Sequence, residues 1–360
     1  DFGGARKGRT ALEDAQKSRT ASTDASPCIE GTAVRQHSAP SPSPRPAEEP
    51  PVEAILLVPG QLSEDEDGET RKPFIPLEED RPIFENDAQR FRAAAEKLDG
   101  FRGRVEAELL GEAAKADAAD RHFCSDATLL RYLCTCDGSE KKALAMLQES
   151  LKWRRKYFAS GPIKVCPKCQ VDPRSHCFLL LGKDAAGRNV IYSCAGRAAN
   201  KAVADGMRHM SSELERIFDG SSAPGQVVWI VDFAGFGLAD CNPRMGATAV
   251  PMFANHYPER FGQIVLFAMP TIFRAIYAAT VKILDPVMQR KVLILHSEEA
   301  RRRYAEHYWS CNPPMAEWLA AVVHCKGAPG CYPDLALGRR LGDAGTRDIL
   351  ERCAAAGTKG

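Results

Sequence analysis

The chain has 360 residues, 44% of them hydrophobic, enough to bury the core of one large domain or two smaller ones. Its net charge of +1 supplies no general attraction to nucleic acid, so any contact with nucleic acid or membrane needs a local patch. No apolar run approaches the roughly 18 residues of a membrane-spanning helix.

Residues 1–82 hold eleven of the twenty-four prolines and the acidic run Glu64-Asp65-Glu66-Asp67. Such a composition cannot bury enough apolar surface to order itself, so 1–82 reads as a disordered N-terminal region. The chain opens Asp1-Phe2 without methionine, which leaves any targeting signal unread. Thirteen cysteines, among them Cys124, Cys134, Cys194 and Cys353, lie scattered through apolar segments. They do not frame short loops, and free thiols in a reducing cytosol fit that pattern.

From residue 83 to 160 the pattern is helical. Residues 87–98 and 101–119 are rich in Ala, Arg and Glu, Ser125 precedes a helix over 126–134, and Ser139-Glu140 opens one towards Tyr157. Leu144, Leu147 and Leu151 share one face of this last helix, and Arg154-Arg155-Lys156 complements the dipole at its end.

A second domain is expected over 161–325. It opens with VCPKCQVDPRSHC (165–177), where Cys166 and Cys169 have zinc-knuckle spacing and His176 with Cys177 could complete four ligands. Adjacent His176 and Cys177 point oppositely if they begin a strand, so the reading adopted is no metal, with thiols in a connecting loop. Residues 178–181 and 190–194 read as a strand pair joined by the polar loop 182–187. Asp205 is placed as the cap of a helix reaching Phe218, on which His209 is taken as structural or exposed. The stretch 226–233, QVVWIVDF, is apolar on both faces, as a central parallel strand should be. Asn242-Pro243 starts another helix, and Pro251 is expected to kink or shorten it before His256.

Next come strand-like runs at 263–268 and 292–295, separated by a helix over 271–284 that Asp285-Pro286 ends. Strand, helix and strand of these lengths imply a right-handed parallel crossover. Ile272, Phe273, Ile276, Tyr277, Val281, Ile283 and Leu284 leave only Arg274, Thr280 and Lys282 polar on that helix, more apolar area than one sheet face can cover. The helix is either buried on both sides by its own protein or a lid whose second face meets lipid. Glu259 and Lys291 precede the two strands and gather at one sheet edge. They suit a sugar-phosphate headgroup, or form an ordinary rim salt bridge. On either reading, replacing both by alanine is expected to leave the melting temperature nearly unchanged. Helices at 297–308, with Arg301-Arg302-Arg303 on a solvated face, and at 316–323 close the domain, and a Gly-rich tail covers 326–360.

Tyr257-Pro258-Glu259-Arg260-Phe261-Gly262, the strand, the apolar helix and Leu284-Asp285-Pro286 resemble the CRAL-TRIO lipid-binding family. With LLRYL (129–133) and LKWRRKY (151–157) the likeness covers roughly 126–307. The resemblance implies an α/β fold in which a mixed, mostly parallel sheet is flanked by helices and preceded by an α-helical N-terminal lobe. It implies a gate helix over an apolar groove, and it nominates Glu259 and Lys291 as headgroup ligands. The pocket and gate then comprise Val227, Trp229, Val231, Phe267, Phe273, Ile276, Tyr277 and Val281. Asp232 and Gly235 match the family's Asp-x-x-Gly. Where phosphatidylinositol-binding members carry basic residues after the first lobe motif, Cys134, Cys136 and Asp137 stand here. Where phosphatidylcholine-handling members place Ser and Thr, Val227 and Trp229 stand.

The expected function is to hold one phospholipid or other hydrophobic molecule, phosphatidylinositol being one candidate, and to exchange it at a membrane surface. The alternative is a non-catalytic protein-interaction module with a vestigial cavity. No G-x-S-x-G, H-E-x-x-H or G-x-x-x-x-G-K-[ST] occurs, so no catalytic residues, no cofactor beyond the bound lipid and no nucleic-acid partner are expected. A cytoplasmic location, peripheral at membranes, follows from that reading.

Overall fold

The computed structural model describes residues 75–111, 116–161, 165–172, 174–218, 225–237, 240, 242–271, 273, 277 and 286–325. These residues fall in a single unit, Glu48–Gly360. The tail from residue 326 and most of the N-terminal stretch lie outside them.

Helices α1 (Arg81–Ala95), α2 (Leu98–Val105, continued by a π turn, Glu106–Leu110), α3 (Ala118–Phe123), α4 (Asp126–Thr135) and α5 (Glu140–Tyr157) build an N-terminal lobe. Phe91, Phe101, Leu129, Leu130, Leu133, Leu144, Leu147 and Leu151 form its core, recurring at helical spacing on α1, α2, α4 and α5. Residues 75–80, assigned by composition to the disordered stretch, are structured. Leu77 packs on the central core, Asp80 accepts a hydrogen bond from the Tyr308 hydroxyl, and the Ile75 carbonyl lies 3.0 Å from His307 Nε2. These contacts, with the Glu79–Arg303 ion pair at 3.3 Å, dock a segment whose average composition reads as disordered.

After a short helix α6 (Pro167–Val171), the chain forms β1 (Phe178–Lys183), β2 (Asn189–Cys194), α7 (Val203–Phe218), β3 (Val227–Asp232), α8 (Pro243–His256), β4 (Phe261–Phe267), α9 (Pro286–Arg290), β5 (Val292–Leu295), α10 (Glu298–Tyr308) and α11 (Pro313–Cys325). The strands lie in the order β1-β2-β3-β4-β5, the first pair antiparallel and the others parallel. The polar loop of the hairpin is a tight turn. Asp184 accepts from the backbone of Ala186 and Arg188 and from the Arg188 guanidinium at 2.9 Å, inside the core.

Two local expectations change. Asp205 lies within the first turn of α7, where it accepts from Asn200, and does not cap it. Helix α8 runs through Pro251 to His256. Proline removes one backbone hydrogen bond, a loss that a largely exposed helix can make up with water. Arg154, Arg155 and Lys156 occupy the last turn of α5 as expected, and two of them also make ion pairs: Arg154 Nη1 donates to Glu215 of α7 at 2.8 Å, which ties the lobe to that helix, and Arg155 binds Asp120 within the lobe. Tyr257 also donates to Glu215, at 2.9 Å.

The same seam holds His256, stacked on Trp153 at 4.2 Å with Nδ1 3.0 Å from Ser150 Oγ. Burial and the nearby Arg154 pull its pKa from 6.5 down to about 4. A base whose folded pKa is lowered binds its proton more readily when unfolded, so stability is whole above pH 6.5 and falls as the pH drops from 6.5 towards 4. His256→Gln is expected to flatten that part of the melting temperature against pH curve, as read by circular dichroism. An unchanged acid slope would show that other groups set it.

Candidate functional site

Alternation along the parallel strands divides the sheet into two faces of different character. On one face Val228, Ile230, Val265 and Phe267 are 0–1% exposed. They pack with Tyr304, Tyr308 and Trp309 at the end of α10, and with Met315, Trp318 and Leu319 of α11. The other face carries Val227, Trp229 and Val231 of β3, Ile264 and Leu266 of β4, and Val292 and Ile294 of β5. There Trp229, Val231, Ile264, Val292 and Ile294 are only half-buried, although all sit on strands paired within the sheet. This second face is the one on which the sequence places the apolar groove.

One end of the groove is filled. Val227 is fully buried, and Trp229 meets Phe178, Phe253 and Phe261 with ring centroids 5.6–6.0 Å apart while its indole N–H donates to Ser193 Oγ at 2.8 Å. Phe261 reaches this face because the register shifts between Val227 and Val228, where the β4 partner moves from Phe261 to Gln263. The open end is floored by Val231, Ile264, Leu266, Val292 and Ile294 and walled by Phe233, Phe236, Phe273 and Tyr277. Phe273 lies 4.7 Å from Phe233 and 5.7 Å from Phe236, ring centre to ring centre. Thr271, Phe273 and Tyr277 are helical; Ile276, Val281 and the rest of the expected gate lie outside the described residues.

Phe267 does not belong to this pocket. It is on the opposite face, 1% exposed, with its ring 6.4 Å from Trp309. Val265 and Phe267 have the same parity, and strand alternation sends both towards α10.

Glu259 and Lys291 do come together, Lys291 Nζ to Glu259 Oε2 at 3.0 Å, but inside the protein and not on a rim. Two residues of α1 that sequence reasoning missed close around them. Asp87 Oδ2 lies 2.8 Å from Lys291 Nζ, and Arg90 Nη2 donates to Glu259 Oε1 at 2.7 Å and to the Cys134 carbonyl at 3.1 Å. Asp87 and Arg90 are three apart on one helical face, a spacing that α1 shares with many surface ion pairs and that gave no sign of burial. Glu259 sits at φ 55°, an uncommon conformation for a side chain with a Cβ, at the turn where α8 gives way to β4. Burial alone would raise its carboxyl, yet Lys291 and Arg90 hold it below the usual carboxylate range. Burial alone would lower Lys291, and Glu259 and Asp87 keep it above the usual lysine value. Removing the pair therefore disturbs a buried network, and the expectation of an unchanged melting temperature does not fit.

Asp232 and Gly235 serve the turn after β3. Asp232 accepts from Tyr192 Oη at 2.7 Å and from the Ala234 backbone at 2.9 Å, and Gly235 takes φ 70°.

The four residues weighed as a zinc set and set aside, Cys166, Cys169, His176 and Cys177, do not gather as a group. Cys177 is buried on the α10 face of the sheet beside Cys194, and that neighbour's hydrogen bond together with burial raises its thiol pKa. His176 points the other way, to Cys166 and Cys169, and His209 of α7 completes the group. His209 was missed because α7 is strongly amphipathic and a lone histidine on its inner face reads as packing.

Two stacked faces of a mixed sheet, a docked helical lobe and an apolar groove mark the CRAL/TRIO class, and residues 174–309 match the family described as "CRAL/TRIO domain". The likeness covers that segment of the chain, and members of the family bind lipids or other hydrophobic small molecules. Among solved structures the chain is similar to one titled "Crystal structure of Sfh5", at 16% identity and TM-score 0.44, over 61% of this chain and 83% of that one. No helix among the described residues is long and apolar enough to cross a membrane.

Proposed function

We propose that this protein binds one lipid in the groove floored by Val231, Ile264, Leu266, Val292 and Ile294 and exchanges it at membranes. The observation that carries the proposal is the unequal covering of the sheet: Val228, Ile230, Val265 and Phe267 are buried on the α10 face, while Trp229, Val231, Ile264, Val292 and Ile294 are only half-buried on the other. Each methylene that leaves water for such a surface contributes about 0.8 kcal/mol, so an acyl chain is retained without any covalent step. Exchange then needs the segment 271–284 to move aside at a bilayer, where its apolar face is stabilised.

The polar end of the lipid is assigned to Glu259, Lys291 and Arg90. Arg90 reaches the Cys134 carbonyl, close to the place where the family resemblance calls for a basic residue that Cys134 and Cys136 do not provide. A phosphodiester entering here displaces Asp87 from Lys291, and inositol hydroxyls can donate to the freed Asp87 carboxylate and to Glu259 where choline has no donor, which favours phosphatidylinositol over phosphatidylcholine. Native mass spectrometry of the purified full chain, before and after incubation with vesicles of phosphatidylcholine containing phosphatidylinositol, is expected to show one lipid per chain with phosphatidylinositol enriched. A chain that stays empty in both samples would refute lipid carriage, and equal uptake of both lipids would refute the headgroup assignment alone.

A further inference from the structure

We propose that Cys166, Cys169, His176 and His209 form a structural binding site for one zinc-class divalent ion, at the outer end of the sheet and independent of the lipid groove. Their four ligand atoms all lie within 4.8 Å of one another. His176 Nδ1 is 3.5 Å from Cys166 Sγ and 3.4 Å from Cys169 Sγ. A tetrahedral ion with Zn–S about 2.3 Å and Zn–N about 2.0–2.1 Å sets a sulfur to nitrogen edge of about 3.6 Å, so these side chains already stand at near-coordinating separations.

The ligands come from two separate segments. Cys166 caps the N-terminus of α6, Pro167 opens the helix, and Cys169 follows three residues on, the spacing that sets two side chains on one side of a turn. A tight turn then folds His176 back. The Ser175 amide donates to the Asp172 carbonyl and its hydroxyl to the Lys168 carbonyl, both at 2.9 Å, while Asn200 and Ala199 donate to Ser175 and Arg174 from the next loop. His209 arrives from the middle of α7, its ring stacked on His176 at 4.5 Å. Its Nε2 faces the Phe178 carbonyl at 3.4 Å. A carbonyl only accepts, so Nε2 carries the proton and the lone pair stands on Nδ1, the orientation in which metal-bound histidines are usually fixed by a backbone oxygen.

Helix α6 itself argues for a metal. It has five residues, Cys169 is its only buried one, its last residue Val171 is 88% exposed, and Val165 just before it is 60% exposed. Apolar burial contributes little to holding it, whereas coordination by two thiolates and two imidazoles would anchor it to α7. A cavity of about 230 Å³ lined by Cys166, Cys169, His209, Glu213 and Arg216 gives an ion a way in. Four protein ligands leave no open position, which makes the site structural and not catalytic. Soft thiolates paired with imidazoles select zinc over magnesium or calcium.

The test uses the full chain, purified under reducing conditions, incubated with zinc, desalted and assayed for metal. The wild type is expected to retain one zinc per chain, and Cys177→Ser to retain the same. Cys166→Ser with Cys169→Ser should retain none, and His209→Gln should weaken binding by more than the roughly 10–100-fold that changes outside the first coordination shell cost. Because the serine variant could fail to fold, cobalt(II) titration of the wild type provides a second readout. Thiolate-to-cobalt charge transfer with tetrahedral d–d bands supports the site. Wild type without metal, equal metal in the double-serine variant, octahedral cobalt spectra, or a Cys166–Cys169 disulfide in place of metal would each overturn it.

Discussion

Lys291→Met is expected to destabilise the protein by about 3–5 kcal/mol in urea denaturation, because it strands two carboxylates in the interior. Asp87 and Glu259 both contact Nζ, Lys291 is 1% exposed, and only Arg90 would remain to compensate two negative charges. The companion variant carrying Lys291→Met and Glu259→Gln should recover part of that loss, since it removes one charge of each sign and leaves Arg90 with Asp87, 3.7 Å apart. The pH dependence has a definite sign at each end. Glu259 is lowered, so its contribution is present above the ordinary value of 4.5 and disappears as the pH falls through its lower folded value. Lys291 is raised, so its contribution is complete below 10.5 and disappears as the pH climbs through its higher folded value. A loss in Lys291→Met of under about 1 kcal/mol, the worth of an exposed ion pair, would mean that the cluster is hydrated and open.

That cluster also marks where sequence reasoning stops. The strands were legible because β3, β4 and β5 are β-branched runs bounded by Pro, Gly and charged residues, and their parallel order follows from the helices between them. Glu259 and Lys291 could be paired because Glu259 precedes one strand and Lys291 immediately precedes the next, and the two strands lie side by side. What could not be read was depth. Whether an ion pair at a strand end faces water or a helix depends on how the lobe docks, and Asp87 and Arg90 reach it from about 170 and 200 residues away in the chain. Phe267 failed for another reason. It was assigned to the groove as an apolar residue of the right strand, but one step of alternation from Leu266 carries it to the other face. His176 and Cys177 do face opposite ways, but not by strand alternation: β1 begins at Phe178 and Cys177 sits at φ 39°.

The two faces of the sheet lead to opposite expected phenotypes. Phe267→Ala should cost about 3–5 kcal/mol, because the ring packs between Val265 and Trp309 and the cavity left cannot collapse against strands already hydrogen-bonded on both sides. Whatever fraction stays folded at low temperature should load lipid normally. Val231→Trp, on the other face, adds bulk where the floor is half-buried and is expected to cost no more than about 1–3 kcal/mol while abolishing lipid uptake. Paired measurements of urea midpoint and vesicle-to-protein lipid transfer separate the two. If Phe267→Ala lost uptake while remaining as stable as wild type, the faces would be reversed. Were Val231→Trp instead to unfold the protein, the surface assigned to a ligand would already be filled by the chain, and the groove would be an ordinary core.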